Sequence, residues 1–517
     1  MPITIESLNQ IIEIYSKANS DNGTRVDTVI NIQKCLEECN KYIDDRKVNE
    51  FNTTPEQYQT TLKMIIGDYV DLERPKVHEF LSQEGIMQYD KLKSHLIKTI
   101  TGYDVIDDAI KDPSIEEINV NDEKTIYAIR KGKESFLEDE DGNPIQFKDV
   151  TTLEVTINNL LRFQGKRLTE GEPLVSSLSK EGHRITASDK SVASQEPGPR
   201  DTRSPSVSIR KYGKDTYTFK DLIKWETIST EAANALIVLA KCEQNMLIVG
   251  PTGSGKTTTM EIISRYLDPS SRKIIIGNPV ETFYVDRDQY GRNKFNVLHW
   301  DAKQALTKEE EKTLPTMINL SNHAMRSTPN SILFSEIRSA QEKVNMNEKI
   351  QSGHHSMTSA HAGSCAEALI SQAQAVQQVY GIDYNSALAQ VCNSIDFVII
   401  QEKDNYGKGV KIRRIKEIAE VNGVTSIDGI SVIKPNLNVL FRFIAEKENE
   451  EDKEDPDNFM KSKVEGALYR ISKLTDTKLT KLKNKGVIPK KIPFLAGEIN
   501  NKEIGDRGTY DPKGVIA

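Results

Sequence analysis

The sequence predicts an α/β protein of several domains, whose largest domain is built on a mostly parallel β-sheet. Between residues 216 and 445, short apolar segments alternate with segments that have helical periodicity. Helices between successive strands imply right-handed crossovers, which leave the strands parallel to one another. The strand cores are residues 246–249, 274–276, 332–334 and 397–400. The first of them leads into a glycine-rich loop and then a helix, an order typical of phosphate-binding domains.

Residues 1–100 are predicted to form a helical extension. Apolar residues recur there at spacings of three and four, which places them on one face of a helix. The clearest set is Val29, Ile32, Leu36, Cys39 and Ile43, and an earlier set is Ile5, Leu8, Ile12 and Tyr15. Core packing is the commoner use of such a face, and a docking module for a partner is the alternative.

Residues 101–215 are predicted to form a small α/β domain. Strand-forming residues at 115–120 and 125–129 flank the turn-forming pair Asn121-Asp122, which predicts a hairpin. Helical spacing returns at 155–161, and a further strand is expected at 206–210.

Residues 446–517 are predicted to be an acidic linker followed by a charged tail. Residues 446–457 form an acidic run, and lysine-rich helical turns follow at 480–485. Such composition favours a solvated chain over a binding element. We therefore expect the ordered fold to end near Ala445.

The composition indicates a soluble, cytoplasmic protein. The 517 residues are 37% hydrophobic and 28% charged, and 69 Lys+Arg against 76 Asp+Glu give a net charge of −7. No overall basic field attracts nucleic acid, which is therefore not an expected partner. No apolar run approaches the ~18 residues that a spanning helix needs, and the N-terminus lacks a signal-peptide pattern. Membrane contact is expected to be peripheral.

The five cysteines are few and odd in number, which indicates a reducing compartment. Cys35 and Cys39 lie four residues apart on a helical pattern. A metal site would need two more ligands nearby, and the sequence offers none, so buried thiols are expected.

Residues 250–257 match the phosphate-loop pattern G-x-x-x-x-G-K-[ST] at every fixed position. The nucleotide-binding residues predicted here are Gly250, Pro251, Thr252, Gly253, Ser254, Gly255, Lys256, Thr257 and Thr258. The glycines let backbone N–H groups turn toward phosphate oxygens, and the helix N-terminus adds its positive end. Lys256 is expected to reach the β- and γ-phosphates, and Thr257 to ligate the metal. The loop therefore predicts binding of a nucleoside triphosphate, ATP with Mg²⁺.

Two further motifs follow downstream. The apolar strand 331–335 ends in Glu336, with Arg338 two residues on. A carboxylate at this end of a parallel strand faces the metal and the γ-phosphate. The second motif, residues 353–363, contains His354, His355 and His361. Together with the phosphate loop, these motifs resemble the secretion and pilus-motor ATPases, the hexameric ATPases of type II secretion, type IV secretion and type IV pili. Members of that family carry a strand ending in GEIRD and a histidine box.

The resemblance covers about residues 104–425 and includes the DPSIEEINVN segment at 112–121. It implies an α/β fold in which a RecA-like ATPase domain follows a small, PAS-like α/β domain. It also implies a homo-hexamer, with ATP lying between these two domains of one protomer.

The resemblance further assigns roles to single residues. Glu336 would hold Mg²⁺ or polarise the attacking water, and His361 would sense the γ-phosphate or meet the neighbouring domain. Arg210, where the small domain leads into the motor, would contact phosphate during domain closure. Arg338 and Arg326 are candidates for stabilising charge on the transferring phosphoryl group, and a surface role is an equal alternative for Arg326. For His354 and His355, functional and structural roles are evenly balanced.

The sequence departs from the family pattern at the acidic box, usually EDPVE. Here the corresponding residues are Gly277, Asn278, Pro279, Val280 and Glu281. Only Glu281 keeps its carboxylate, so either Glu281 or Glu336 must act as general base, or turnover is slow. The CxxC pairs of some members do not occur, so no zinc is expected.

On this resemblance we expect an ATPase at the cytoplasmic side of the inner membrane. It would power assembly of a type IV pilus or a related secretion system, with inner-membrane pilus or secretion platform proteins as partners. Two alternatives stay open: an ATPase of conjugative type IV secretion that serves DNA transfer, and a nucleotide-binding scaffold with little turnover.

Overall fold

The computed structural model describes residues 29–46, 55–82, 84–130, 133–162, 164–192, 203–211, 217–278, 286–303, 308–406, 410–427, 433–447 and 464–516. The chain forms two compact units, Met1–Tyr212 and Gly213–Ala517. The apolar set predicted between Ile5 and Tyr15 lies outside the described residues.

The described part of the first unit opens with three α-helices: α1 (Ile32–Asp45), α2 (Pro55–Glu73) and α3 (Tyr89–Thr101). Their apolar faces share one core. Of the predicted set, Ile32, Cys39 and Ile43 are buried and Leu36 is partly buried against them, whereas Val29 precedes the helix and is 48% exposed. Burial raises the pKa of the Cys35 thiol to about 11 and that of Cys39 to about 12. Both cysteines are therefore buried thiols, as predicted.

A six-stranded sheet completes the first unit. Its elements are α4 (Asp107–Lys111), β1 (Ile115–Val120), β2 (Ile126–Arg130), β3 (Lys133–Phe136), α5 (Val150–Arg162), β4 (Leu174–Leu178), β5 (Arg184–Ser188) and β6 (Ser206–Arg210). The strand order is β3-β2-β1-β6-β5-β4, and all neighbours are antiparallel. The predicted hairpin is β1–β2, in which Val120 pairs with Ile126. The apolar residues of α5 share a core with this sheet.

Two of the three helices, α3 and α1, are hydrogen-bonded to α5. Asn159 Nδ2 donates to the Thr99 carbonyl oxygen at 2.8 Å, and Arg162 Nη2 donates to Asn40 Oδ1 at 2.8 Å. The residues on either side of position 100 thus belong to one compact unit with two cores.

The second unit contains ten strands and ten helices within its described residues. They are α6 (Phe219–Lys224), α7 (Thr230–Lys241), β7 (Met246–Val249), α8 (Lys256–Ser264), β8 (Lys273–Gly277), β9 (Val297–Asp301), α9 (Lys308–Thr313), α10 (Met317–Ala324), β10 (Ser331–Phe334), α11 (Ala340–Gln351), β11 (His355–Ala360), α12 (Cys365–Tyr380), α13 (Tyr384–Ser394), β12 (Phe397–Tyr406), β13 (Val410–Ser426), β14 (Ile433–Lys447), β15 (Glu465–Arg470), α14 (Asp476–Asn484), α15 (Pro493–Ala496) and β16 (Asp506–Arg507).

These strands form one sheet in the order β16-β15-β14-β13-β12-β7-β11-β10-β8-β9. The six strands from β12 to β9 are parallel, and all four predicted strand cores lie among them. Each face of the sheet carries its own core: Met246 and Ile248 face one, and Leu247 and Val249 face the other. Burial on both faces explains why these strands read as continuous apolar runs.

The expectation that the ordered fold ends near Ala445 is wrong. β15 pairs with β14, β16 pairs with β15, and α14 and α15 place Leu482 and Leu495 in the core of the second unit. Leu474 and Ile492 of the same segment are buried in this core as well. Lys481 and Lys483 of α14 are exposed, whereas Lys478 is buried and donates to Asp396 Oδ1 at 2.5 Å.

No described helix is both long and apolar enough to cross a membrane.

Candidate nucleotide-binding site

The phosphate loop connects β7 to α8, as the sequence predicts. Gly250, Gly253 and Gly255 have φ values of +146°, +74° and +94°, which favour glycine. A Cβ on Gly250 would lie only 1.9 Å from the Gln401 carbonyl oxygen. Glycine at position 250 therefore allows β12 to pass directly against the start of the loop.

Lys256 is the first residue of α8 and is largely buried beneath the loop. Its Nζ donates to the carbonyl oxygens of Gly250 and Pro251 at 2.9 and 2.8 Å. The ammonium group is thus held on the loop that is expected to surround the phosphates.

The loop and the first turn of α8 supply further donors. Ser254 Oγ is buried and has no hydrogen-bond partner among the described residues. The first N–H groups of any helix lack intrahelical acceptors, and here they include those of Lys256, Thr257 and Thr258. An oxyanion such as a phosphate satisfies donors of this kind. The residues present therefore fit a nucleotide polyphosphate, and the partly exposed Thr257 offers a hydroxyl for its metal ion.

Glu336 and His361 follow two neighbouring parallel strands, β10 and β11. Strand register pairs Phe334 with Thr358, and Ala360 with Val249, so both residues lie at the edge of the sheet that carries the phosphate loop. His361 Nε2 lies 2.8 Å from Glu336 Oε1. The other carboxylate oxygen, Oε2, accepts from Arg338 Nη2 at 2.6 Å and from its Nε at 2.9 Å.

The charges around Glu336 determine its protonation. Burial raises the pKa of this carboxyl, but the hydrogen bond and charge of Arg338, then the charges of His361 and Lys256, outweigh that effect. The net result is a pKa below the usual value, so Glu336 is ionised at neutral pH. The Lys256 ammonium of the phosphate loop thus contributes to the charge around Glu336.

Local helix caps fix the turns that carry these side chains. Ser339 caps α11 in a capping box with Glu342, and Glu342 Oε2 also accepts from the Arg338 backbone N–H at 2.7 Å. After His361, Glu367 Oε2 accepts from the Gly363 N–H at 2.7 Å, while Ser364 caps α12. Each functional residue is thus followed within three residues by a capped helix.

Other predicted residues lie elsewhere. His355 opens β11 at the opposite edge of the sheet, where it is buried between Ser331 Oγ and the Gln244 carbonyl oxygen, 3.0 Å from each. Its role is therefore structural. His354 lies beside Ser352. Arg326 is exposed in a turn on the amino-terminal side of β10.

Two predicted residues cannot be placed at this site. Arg210 ends β6 in the first unit and is exposed. Glu281 lies outside the described residues. Gly277 ends β8, and Asn278 follows it at the same edge as Glu336.

Three residues near the loop were missed by the sequence analysis: Gln401, Lys403 and Arg413. Thr259 Oγ1 donates to Gln401 Oε1 at 2.7 Å, and Arg413 Nε donates to the Gly253 carbonyl oxygen at 3.0 Å. Lys403 Nζ lies 3.7 Å from where a Cβ on Gly253 would be. Only the strand order, with β12 beside β7, brings these residues to the loop.

Comparison with known proteins agrees with these motifs. Residues 96–403 match the family model described as type II/IV secretion system protein. An uncharacterised protein of Methanocaldococcus jannaschii is 25% identical over 374 residues, 69% of this chain and 62% of that protein. The type IV secretion system protein VirB11 of Brucella suis is 26% identical over 221 residues, 40% of this chain and 58% of that protein. The chain thus spans about three-fifths of the length of these relatives.

Solved structures that align with this chain include the VirB11 ATPase of Brucella suis in complex with sulphate, at 21% identity and a TM-score of 0.31. That alignment covers 63% of this chain and 96% of the other. The pilus retraction motor PilT with bound ADP is 16% identical, with a TM-score of 0.45 and coverage of 62% and 83%.

Proposed function

Since this chain belongs to the type II/IV secretion system protein family, we propose that it is an ATP-hydrolysing hexameric motor that powers assembly of a type IV pilus or a related secretion system. One observation carries the proposal: the phosphate loop and the Glu336–His361 pair lie at the same edge of one sheet. From the family membership we also propose a RecA-like fold for the second unit and a PAS-like fold for the six-stranded domain of the first unit.

The chain's own groups have distinct tasks in this proposal. Lys256 and the α8 N-terminus would bind the β- and γ-phosphates, and Thr257 and Glu336 would hold Mg²⁺, which would neutralise phosphate charge. Glu336 accepts from Arg338 on one oxygen and lies against His361 on the other, which fixes its carboxylate, and we assign to it the polarisation of the attacking water. Arg338 stabilises charge on the transferring phosphoryl group, and His361 senses the γ-phosphate.

Glu336→Gln tests the motor directly. We expect the steady-state ATPase rate to fall about 100-fold or more, because the amide neither holds the metal strongly nor polarises water. ATP affinity should change little, whereas Lys256→Ala should abolish binding. Glu309→Gln, an exposed residue on α9, is the matched control and should leave the rate unchanged. An equal rate in wild type and Glu336→Gln would exclude Glu336 from the chemistry.

The same measurement separates the motor from a nucleotide-binding scaffold. That second candidate is favoured by Gly277 and Asn278, which stand where the family carries carboxylates. Tight ATP binding by wild type without measurable turnover would support the scaffold and contradict the motor.

The apparatus that the protein serves belongs to the proposal as well. VirB11 is named as a type IV secretion system protein, and PilT is named as a pilus retraction motor. By analogy, we propose inner-membrane platform proteins as partners of this chain, which would bind them at the cytoplasmic face of the membrane. The three N-terminal helices are the proposed docking module. A pull-down from membranes that recovers pilus proteins, or instead conjugation proteins, distinguishes the pilus motor from the DNA-transfer alternative.

A further inference from the structure

The second unit carries a lysine-rich surface, formed by the end of α14 and the turn that follows it. Between Thr477 and Gly497 the sequence contains no aspartate, glutamate or arginine. Five lysines of this stretch are exposed: Lys481, Lys483, Lys485, Lys490 and Lys491. We call these five residues, together with Ile488, the lysine surface. It lies outside residues 96–403, which match the family model, so family membership assigns it no role.

Apolar residues fix this stretch to the core of the second unit. Leu482 and Ile492 are buried in that core, and Val487 packs against it. The chain turns after α14 at Gly486, whose φ is +89°, and the Val487 N–H donates to the Leu482 carbonyl oxygen at 3.1 Å. The exposed lysines between these anchors therefore project from a backbone of defined conformation.

Most charges of the lysine surface are not neutralised within the protein. Among the described residues, four of its members form no ion pair: Lys481, Lys483, Lys490 and Lys491. Lys485 differs, because its Nζ donates to the Cys242 carbonyl oxygen at 2.6 Å and lies 4.0 Å from Glu243 Oε2. Lysines near a helix C-terminus also stabilise the helix, but Lys490 and Lys491 lie beyond α14, so that role does not account for them.

Ile488 lies between these lysines in the chain and is 53% exposed. A single exposed isoleucine is ordinary on a protein surface. Among lysines, however, it completes the combination that binds at a membrane interface, where positive charges meet anionic headgroups and an apolar side chain enters the boundary of the acyl chains.

The chemistry of this surface fits lipid headgroups better than nucleic acid. Nucleic-acid sites commonly use arginine, whose planar fork binds phosphate, and aromatic rings, on which bases stack. The stretch has no arginine, and its one aromatic residue, Phe494, packs against the core. Lysine ammonium groups on flexible stems act instead as point charges, which suit mobile anionic headgroups.

The lysine surface lies at the edge of the sheet opposite the phosphate loop. Lys485 contacts Cys242, which caps the end of α7 before β7 begins, whereas the loop follows the other end of β7. The four residues of β7 span about 13 Å. A membrane bound at the lysine surface therefore leaves the phosphate loop accessible.

We propose that the lysine surface binds the anionic phospholipid headgroups of a bilayer, with Ile488 entering the interface between headgroups and acyl chains. The inference goes beyond the proposed function, because this contact needs neither a nucleotide nor a platform protein. It also gives a task to the C-terminal segment, for which the composition favoured a solvated chain.

Co-sedimentation of the full-length chain with vesicles, without nucleotide, tests the lysine surface. The vesicles contain phosphatidylcholine alone or with about 30% phosphatidylglycerol. The test variant neutralises the four lysines that form no ion pair: Lys481→Gln, Lys483→Gln, Lys490→Gln and Lys491→Gln. The matched control neutralises four exposed lysines elsewhere in the second unit: Lys220→Gln, Lys224→Gln, Lys312→Gln and Lys434→Gln. Ile488→Ser is compared with Ile504→Ser, because Ile504 is 50% exposed.

We expect wild type and both controls to bind the anionic vesicles and not phosphatidylcholine alone. The four-lysine variant should bind about 10-fold or more weakly at low salt, because each lysine near the membrane adds attraction. This difference should shrink as salt rises, because screening weakens charge attraction. Ile488→Ser should weaken binding about 3-fold without changing its salt dependence. Every variant should keep the Tm of wild type.

Equal vesicle binding by wild type and the four-lysine variant would overturn the inference, and so would a wild type that does not bind anionic vesicles. A wild type that binds duplex DNA but not vesicles, with DNA binding lost in the four-lysine variant, would assign the surface to nucleic acid and overturn lipid binding. The vesicle assays contain no nucleotide, so they decide this inference separately from the proposed ATPase.

Discussion

Glu336 is the residue on which the charges of the site converge. Arg338 and His361 contact its two oxygens, and Lys256 acts on it from the phosphate loop. The sequence identified Glu336, Arg338 and His361 from their positions in motifs. It could not show that the three side chains meet, because that contact depends on β10 and β11 being neighbours.

His355 illustrates the opposite outcome for a residue in the same motif. Burial lowers the pKa of its imidazole to about 4, against an ordinary value of 6.5. Its two ring nitrogens are held by Ser331 and Gln244. The sequence left a functional and a structural role for His355 evenly balanced, because a histidine six residues before His361 is as suited to chemistry as His361 itself. Only its place at the far edge of the sheet settles the question.

A stability measurement tests this structural role. The unfolded chain binds a proton on His355 below pH 6.5, whereas the folded chain does so only near pH 4. The free energy of unfolding therefore decreases as the pH is lowered from 6.5 to 4. We expect a loss of about 3 kcal/mol in the free energy of unfolding between pH 6.5 and pH 4. His355→Gln should remove that part of the slope, and His323→Gln, an exposed histidine, should keep it. Equal slopes in His355→Gln and wild type would contradict the prediction.

At the scale of elements, the C-terminal strands show why the charged composition led to the wrong prediction that the ordered fold ends near Ala445. Arg470 on β15 is buried and binds the carbonyl oxygens of Pro493, Gly497 and Glu498 at 2.7–3.0 Å. Its fourth partner is Asp506 on β16, at 3.0 Å. Arg470 thus ties β15 to the segment that follows it, while apolar residues such as Leu474, Leu482 and Leu495 join the core; the charged composition of the segment hid both kinds of contact.

Arg470→Met is expected to destabilise the chain by about 3 kcal/mol, because it leaves Asp506 and three carbonyl oxygens without their buried partner. Urea unfolding followed by circular dichroism measures the change. Lys502→Met, at an exposed position on the same segment, should stay within about 0.5 kcal/mol of wild type. An Arg470→Met variant as stable as that control would show that the segment does not depend on this arginine.

At the scale of the whole molecule, the two units have different sheets. The first has an antiparallel sheet, and the second has a parallel centre extended by antiparallel strands. The sequence indicated the parallel centre of the second sheet, because helices between strands imply parallel pairing, and in the first sheet it indicated the hairpin at Asn121-Asp122. The proposed motor requires several copies of such a chain, assembled through a repeated head-to-tail interface that closes into a ring.

Light scattering tests that assembly. With a non-hydrolysable ATP analogue and Mg²⁺, we expect a mass of six times the 58.2 kDa chain, because ligand binding favours the state that binds it better. Lys256→Ala, which should not bind the analogue, serves as the comparison and should form fewer hexamers. A wild-type protein that remains monomeric at micromolar concentration with bound nucleotide would contradict the hexamer.

The sequence by itself determined the features that depend on neighbouring residues. The phosphate loop, the strand-end carboxylate Glu336, the first hairpin and the parallel strand cores are local patterns, fixed by backbone conformation and periodicity. The tertiary structure alone decided what depends on strand order. It placed β12 beside β7, so that Gln401, Lys403 and Arg413 reach the loop from about 150 residues away along the chain, and it joined the C-terminal strands to the sheet. The pairing of distant strands cannot be predicted from hydrophobic periodicity, because neither segment has a local pattern that identifies its partner.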